Sequence, residues 1–137
     1  MNRILGIDYG ERRIGLAISD PMGIIAKPLK CIDRKTTPNY IIEIQKITLQ
    51  KDVNKIVIGI PITLKGKRSH QTEVVQKFIN ELSKMEKISV VEIDERLSSI
   101  AAIKSLKEQG VKTRFDKGRI DETAAAIILQ EYLDSQS

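Results

Sequence analysis

The apolar pattern changes its period about a quarter of the way along the chain. Three short extended runs come first, at 3–8, 13–19 and 24–32. Tyr9-Gly10 and Asp20-Pro21 close the first two, as turn residues close strands. Pro28 lies within the third and points to a sheet edge. After Thr37-Pro38 the spacing turns helical, with Ile41, Ile44 and Ile47 on one stripe and Ile42 and Leu49 a step over. A β-branched strand at 55–60 ends at Pro61. An amphipathic helix over 69–86 carries Val74, Val75, Phe78, Ile79 and Leu82. A strand at 88–93 and a helix at 98–109 follow, the latter stopped by Gly110. A basic loop at 112–119 leads to a last helix ending near residue 133. The predicted order is β-β-β-α-β-α-β-α-α. An antiparallel meander followed by right-handed parallel crossovers makes a mixed five-stranded sheet. Helices should cover both faces, which makes the fold class α/β.

Size and charge narrow the function. The 137 residues suit a single domain over 1–137. A net charge of +5 and a pI near 9.4 make nucleic acid a candidate partner, although surplus lysine also serves as plain solvated surface. Cys31 is the lone cysteine, so an internal disulfide and a cysteine-based zinc site are excluded. No apolar run approaches the ~20 residues that span a bilayer, and the N-terminal stretch is too short for a signal peptide. A cytoplasmic protein with no membrane partner is expected. Two Phe, three Tyr and no Trp argue against recognition by stacked aromatics.

Three carboxylates stand against the apolar pattern. Asp8 ends a strand whose neighbours Ile4, Leu5 and Ile7 face both ways, as in a central strand; a buried acid there is costly unless paired or bound to a cation. It could equally close the Asp8-Tyr9-Gly10 turn. At Asp94-Glu95 strand parity puts Glu95 with Val91 and Ile93. The alternative is a solvated strand end, with Asp94 capping the next helix. Asp121 falls in line with Ala125, Ile128 and Tyr132, although it could be the N-cap of a helix starting at Glu122. Sites in α/β sheets form at the carboxyl ends of parallel strands, where Asp8 and Glu95 both fall. A cluster of hard oxygen donors there suits Mg²⁺ or Mn²⁺, which nucleases use in pairs.

The ordered motifs resemble one family. They are Gly6-Ile7-Asp8-Tyr9-Gly10, Arg13-Ile14-Gly15-Leu16-Ala17, Val57-Ile58-Gly59-Ile60-Pro61, Asp94-Glu95-Arg96-Leu97-Ser98, and Lys117-Gly118-Arg119-Ile120-Asp121 with Ala124 to Leu129. Over nearly the whole chain this set is similar to the YqgF (RuvX) family. The resemblance implies an RNase H-like fold related to the RuvC Holliday-junction resolvases. It implies a metal-dependent nuclease that processes the 5′ end of the 16S rRNA precursor in ribosome biogenesis. A Holliday junction resolvase acting as a dimer, or a weakly catalytic nucleic-acid-binding assembly factor, are the other readings. Carried over by motif, the catalytic and metal-holding acids are Asp8, Glu95 and Asp121, with two Mg²⁺ or Mn²⁺ ions. RuvC-type resolvases carry a glutamate on the strand beside the first. Here that strand ends Gly59-Ile60-Pro61, so the second acid must come from Glu95 or, as the lesser choice, Asp94. The implied partners are structured RNA, branched DNA and ribosomal precursor particles, met by a monomer or weak homodimer.

Arg13, Lys65, Lys67, Arg68, Arg96, Lys117 and Arg119 are the expected nucleic-acid contacts. The loop bearing Gly66-Lys67-Arg68 departs from the P-loop pattern, which needs Gly at Pro61 and Ser or Thr at Arg68. The Gly6–Gly10 motif also resembles actin-like ATPases, but those pair two such domains and 137 residues cannot hold both. His70 reads as a surface residue and Cys31 as packing on an edge strand.

Overall fold

The computed structural model describes residues 2–60, 70–97, 99–100 and 117–136. Its strands are β1 (Arg3–Tyr9), β2 (Arg13–Ser19), β3 (Ala26–Asp33), β4 (Val53–Ile60) and β5 (Ser89–Asp94). Its helices are α1 (Tyr40–Gln50), α2 (His70–Leu82) and α3 (Lys117–Ser135), with a 3₁₀ turn at Glu95–Leu97. The helix expected over 98–109 lies, apart from Ser99 and Ile100, outside the described residues.

The five strands form one sheet in the order β3-β2-β1-β4-β5. β1 and β2 pair antiparallel, as do β2 and β3; β4 runs parallel to both β1 and β5. The meander thus sits on one side of β1 and the crossovers on the other. β3, which holds Pro28, is an edge strand. It starts two residues later than the hydrophobic pattern predicts. Ile24 and Ile25 are exposed in the hairpin turn, where both main-chain N–H groups donate to the Asp20 carboxylate at 2.7 and 2.8 Å. A local side-chain acceptor outcompetes the ladder there.

Strand alternation sends side chains to two cores. Leu5, Ile7, Ile14, Leu16, Ile56 and Ile58 meet Ile44 and Ile47 of α1 and Phe78, Ile79 and Leu82 of α2. Ala17 and Val57 meet Ala124, Ala125, Ile128 and Leu129 of α3 on the other face. Each fully buried Leu or Ile contributes about 1.5–3 kcal/mol of apolar transfer energy. Among the described residues, no helix is long and apolar enough to cross a membrane.

Candidate active site

Asp8 lies near the end of β1, only 4% exposed. Leu5 and Ile7 face α1 and α2, so Asp8 shares the α3 face with Ile4. Its cross-strand partner on β2 is Gly15. The register Ile7↔Ile58 puts Gly59 of β4 one residue further on, level with Asp8. The acid therefore stands between two glycines.

Both glycines are spaces that something else fills. A Cβ on Gly15 would overlap the main-chain carbonyl of Asp121, so Gly15 lets the start of α3 rest directly on the sheet. A Cβ on Gly59 would stand 2.9 Å from Oε1 and 3.0 Å from Cγ of Glu95. One glycine admits Asp121 and the other admits Glu95. Glu95 and Asp121 are buried as Asp8 is. By position the three acids make a row at the carboxyl end of β1: the Glu95 side chain lies beside Gly59, the Asp121 main chain lies over Gly15, and Asp8 stands between them.

The helix start corrects one reading. α3 begins at Lys117, so Asp121 lies inside it and does not cap it. It shares a buried stripe with Ala125 and Ile128, and Tyr132 is half-buried beyond them. Ala124 and Ala125 keep that helix face thin against the sheet.

At the end of β5 the two adjacent acids separate. The Asp94 carboxylate accepts the Arg96 main-chain N–H at 3.0 Å, its Nε at 3.1 Å and its Nη2 at 2.6 Å. Arg96 holds the Asp94 carboxyl below the usual carboxylate range, chiefly through these side-chain hydrogen bonds. Asp94 is thus occupied by Arg96, while Glu95 turns onto Gly59. The same pairing engages Arg96, an expected nucleic-acid contact.

Cys31 lies within electrostatic reach of Asp121. It pairs with Gly15 across β2 and β3, on the side of Gly15 away from Asp8. Burial pushes its thiol up to about 11, and the Asp121 carboxylate adds to the rise while Arg13 opposes it. Arg13 is half-buried at the start of β2. Lys65, Lys67 and Arg68 lie outside the described residues. Lys117 and Arg119 fall on the first turn of α3 and His70 begins α2, with their side chains outside the description.

Three buried carboxylates are the donor chemistry of a hard divalent cation. Among the described residues no three His, Cys, Asp or Glu side chains are gathered tightly enough to hold one ion. The acids share a face and a level without being clasped on one point. Sequence reasoning missed the parts of Gly15 and Gly59, although a glycine inside a strand pattern is a known sign of close approach.

The RuvX family model, described as a Holliday junction resolvase, matches residues 2–135. A Chloroflexus aurantiacus protein named "Putative pre-16S rRNA nuclease" is 44% identical over 133 residues, which is 97% of this chain and 87% of that one. A Fusobacterium nucleatum protein of the same name is 42% identical over 136 residues, 98% of each chain. Among solved structures, RuvC of T. thermophilus in complex with a Holliday junction substrate aligns with a TM-score of 0.63 at 13% identity. It covers 99% of this chain and 96% of that one, a likeness of fold. With a family match over nearly every residue and full-length relatives above 40% identity, the chain belongs to the RuvX family.

Proposed function

We propose that the chain is a divalent-metal-dependent nuclease that processes the 5′ end of the 16S rRNA precursor. Asp8, Glu95 and Asp121 are its catalytic acids. The observation that carries this reading is the pair of glycines beside Asp8, each vacating the space that a second acid or its backbone fills. Relatives above 40% identity carry the name "Putative pre-16S rRNA nuclease", which supports the substrate.

The three carboxylates would hold Mg²⁺ or Mn²⁺, which when bound polarises the phosphodiester and acidifies a bound water. The chain's own part is to bring acids from positions 8, 95 and 121 to one end of the sheet. Burial under α3 limits their exchange with bulk water and strengthens their electrostatic hold on a cation. The positive net charge outside the acidic row attracts the polyanionic strand. Arg13, Lys117 and Arg119, with the loop bearing Lys65, Lys67 and Arg68, are proposed to hold phosphates next to the cleaved one.

The test is cleavage of a precursor rRNA end with Mg²⁺ or Mn²⁺ by the parent and by Asp8→Asn. Loss of cleavage in a variant that still folds supports the reading. Undiminished cleavage by Asp8→Asn would falsify it. The family's description favours a second substrate, the four-way DNA junction. A resolvase cuts two strands symmetrically and so acts as a twofold dimer. Junction cleavage side by side with rRNA cleavage, together with the solution mass, separates the two.

A further inference from the structure

Around the rim from Asp8 lies a basic cleft that the acidic row does not use. β2 begins and β3 ends at the same end of the sheet as the carboxyl end of β1. The β1–β2 turn and the β3–α1 connection therefore meet beside Asp8. They line an open, shallow cleft of about 440 Å³ formed by Glu11, Arg12, Arg34, Lys35, Pro38 and Tyr40.

Arg34 builds its wall. Its main-chain N–H donates to the Arg12 carbonyl at 2.8 Å, and Nη1 donates to the carbonyls of Gly10 at 3.0 Å and Glu11 at 2.6 Å. The guanidinium carbon lies 4.7 Å from the Tyr9 ring centre and 5.4 Å from that of Tyr40. Among the described residues its Nε is buried without a hydrogen-bond partner. Phe78 stacks on Tyr9 at 4.1 Å and stiffens the group. Arg12 projects from the opposite lip, its side chain 59% exposed and 3.6 Å from Asp33, a contact too open to consume its charge.

A basic groove beside aromatic and guanidinium faces is how proteins grip a single nucleic-acid strand. Tyr9 follows Asp8 directly and points to the opposite face, so a strand lying across this end of the sheet would meet both sites. Resting on the nuclease reading above, we propose that the cleft seats one nucleotide flanking the cleaved bond. Its phosphate lies against Arg12 and Lys35 and its base against the Arg34–Tyr40 pair. These are positioning residues: they fix which phosphate reaches the acidic row.

The experiment measures binding of a labelled single-stranded RNA 12-mer to the full chain carrying Asp8→Asn, in EDTA, over a range of salt. Adding Arg12→Ala and Lys35→Ala should lower the slope of log affinity against log salt by about 0.7 for each lost phosphate contact. Tyr40→Ala should weaken binding roughly tenfold with little change in slope. Tyr40→Phe, which keeps the ring, should bind as the parent does. An abasic scan of the 12-mer should find one position whose penalty Tyr40→Ala removes. A parental salt slope in the Arg12/Lys35 variant, or an abasic penalty that Tyr40→Ala leaves intact, overturns the cleft. The two readings fail separately. If these binding changes appear but the parent never cleaves, the nuclease reading falls and the cleft stands. If the parent cleaves and the cleft variants bind and cleave like it, the cleft falls and the nuclease reading stands.

Discussion

Gly15 of β2 lies so close beneath the main-chain carbonyl of Asp121 that no Cβ fits between them. The contact is with helix backbone, which cannot swing aside as a side chain can. Gly15→Ala must therefore push α3 off the sheet, and overpacking of that kind costs up to about 3 kcal/mol. The nearest atoms that Gly59→Ala meets are side-chain atoms of Glu95 and Ile128, at 2.9–3.0 Å, which can give way, so it should cost about 1 kcal/mol. Urea unfolding should rank the two in that order. Cleavage should fall steeply in both, because Gly59→Ala displaces the Glu95 carboxylate while sparing the fold. A Gly59→Ala chain with parental cleavage would remove Glu95 from the proposed site.

Asp94 and Glu95 should behave oppositely although they are adjacent. Glu95 is buried on Gly59, whereas Asp94 is bonded to Arg96. Glu95→Gln should cut cleavage roughly a hundredfold or more, since several kcal/mol of cation-mediated charge stabilisation rest on its ligands. Asp94→Asn should keep most of the activity. Single-turnover rates at saturating metal measure both. Equal losses would show that the acids act as a unit.

The hairpin between β2 and β3 should loosen in acid. The Ile25 and Ile24 main-chain N–H groups hold the Asp20 carboxyl below its ordinary value of 3.8. A depressed folded pKa means the stabilisation is fully present above the unfolded value and is lost as pH falls through the folded one. Amide shifts of Ile24 and Ile25 followed by NMR below pH 4 should titrate together, with a midpoint under 3.8. Asp20→Asn should abolish that titration. Gln130 of α3 accepts from the Ala26 N–H and donates to the Ile24 carbonyl, so β3 itself should survive the change.

The legible parts of this molecule were those written in local pattern. The continuous apolar run of Ile4 to Ile7 marked β1, and parity from Val91 and Ile93 put Glu95 on the α3 face, where it lies beside Gly59 although β5 itself ends at Asp94. The stripe of Ala125 and Ile128 placed Asp121. What stayed hidden depends on pairings between distant segments. That Gly15 and Gly59 flank Asp8 follows from register across three strands, which no window of sequence contains. α3 starts at Lys117, inside a basic run with Gly118 that reads as loop, so Asp121 was open to misreading as the cap. The scarcity of aromatics argued against stacking, yet Tyr9, Tyr40 and Phe78 come from three separate elements to one cluster. Composition counts residues; only the fold decides which of them meet.

Cys31 offers a reporter for the acidic row. Burial is the main reason its thiol titrates near 11, and the Asp121 carboxylate is the next. The thiolate is the reactive form, so alkylation at pH 8 should be slow. Asp121→Asn removes a nearby negative charge and should lower the thiol pKa and speed alkylation. Burial remains in that variant, so the thiol should stay above the ordinary value of 9.0. Glu95→Gln, on the far side of Asp8, should leave the rate almost unchanged. Iodoacetamide rates as a function of pH, read by mass spectrometry, measure all three chains. A rate that Asp121→Asn does not raise would mean that its carboxylate points away from the β2–β3 side of Asp8, and the row would have to be redrawn.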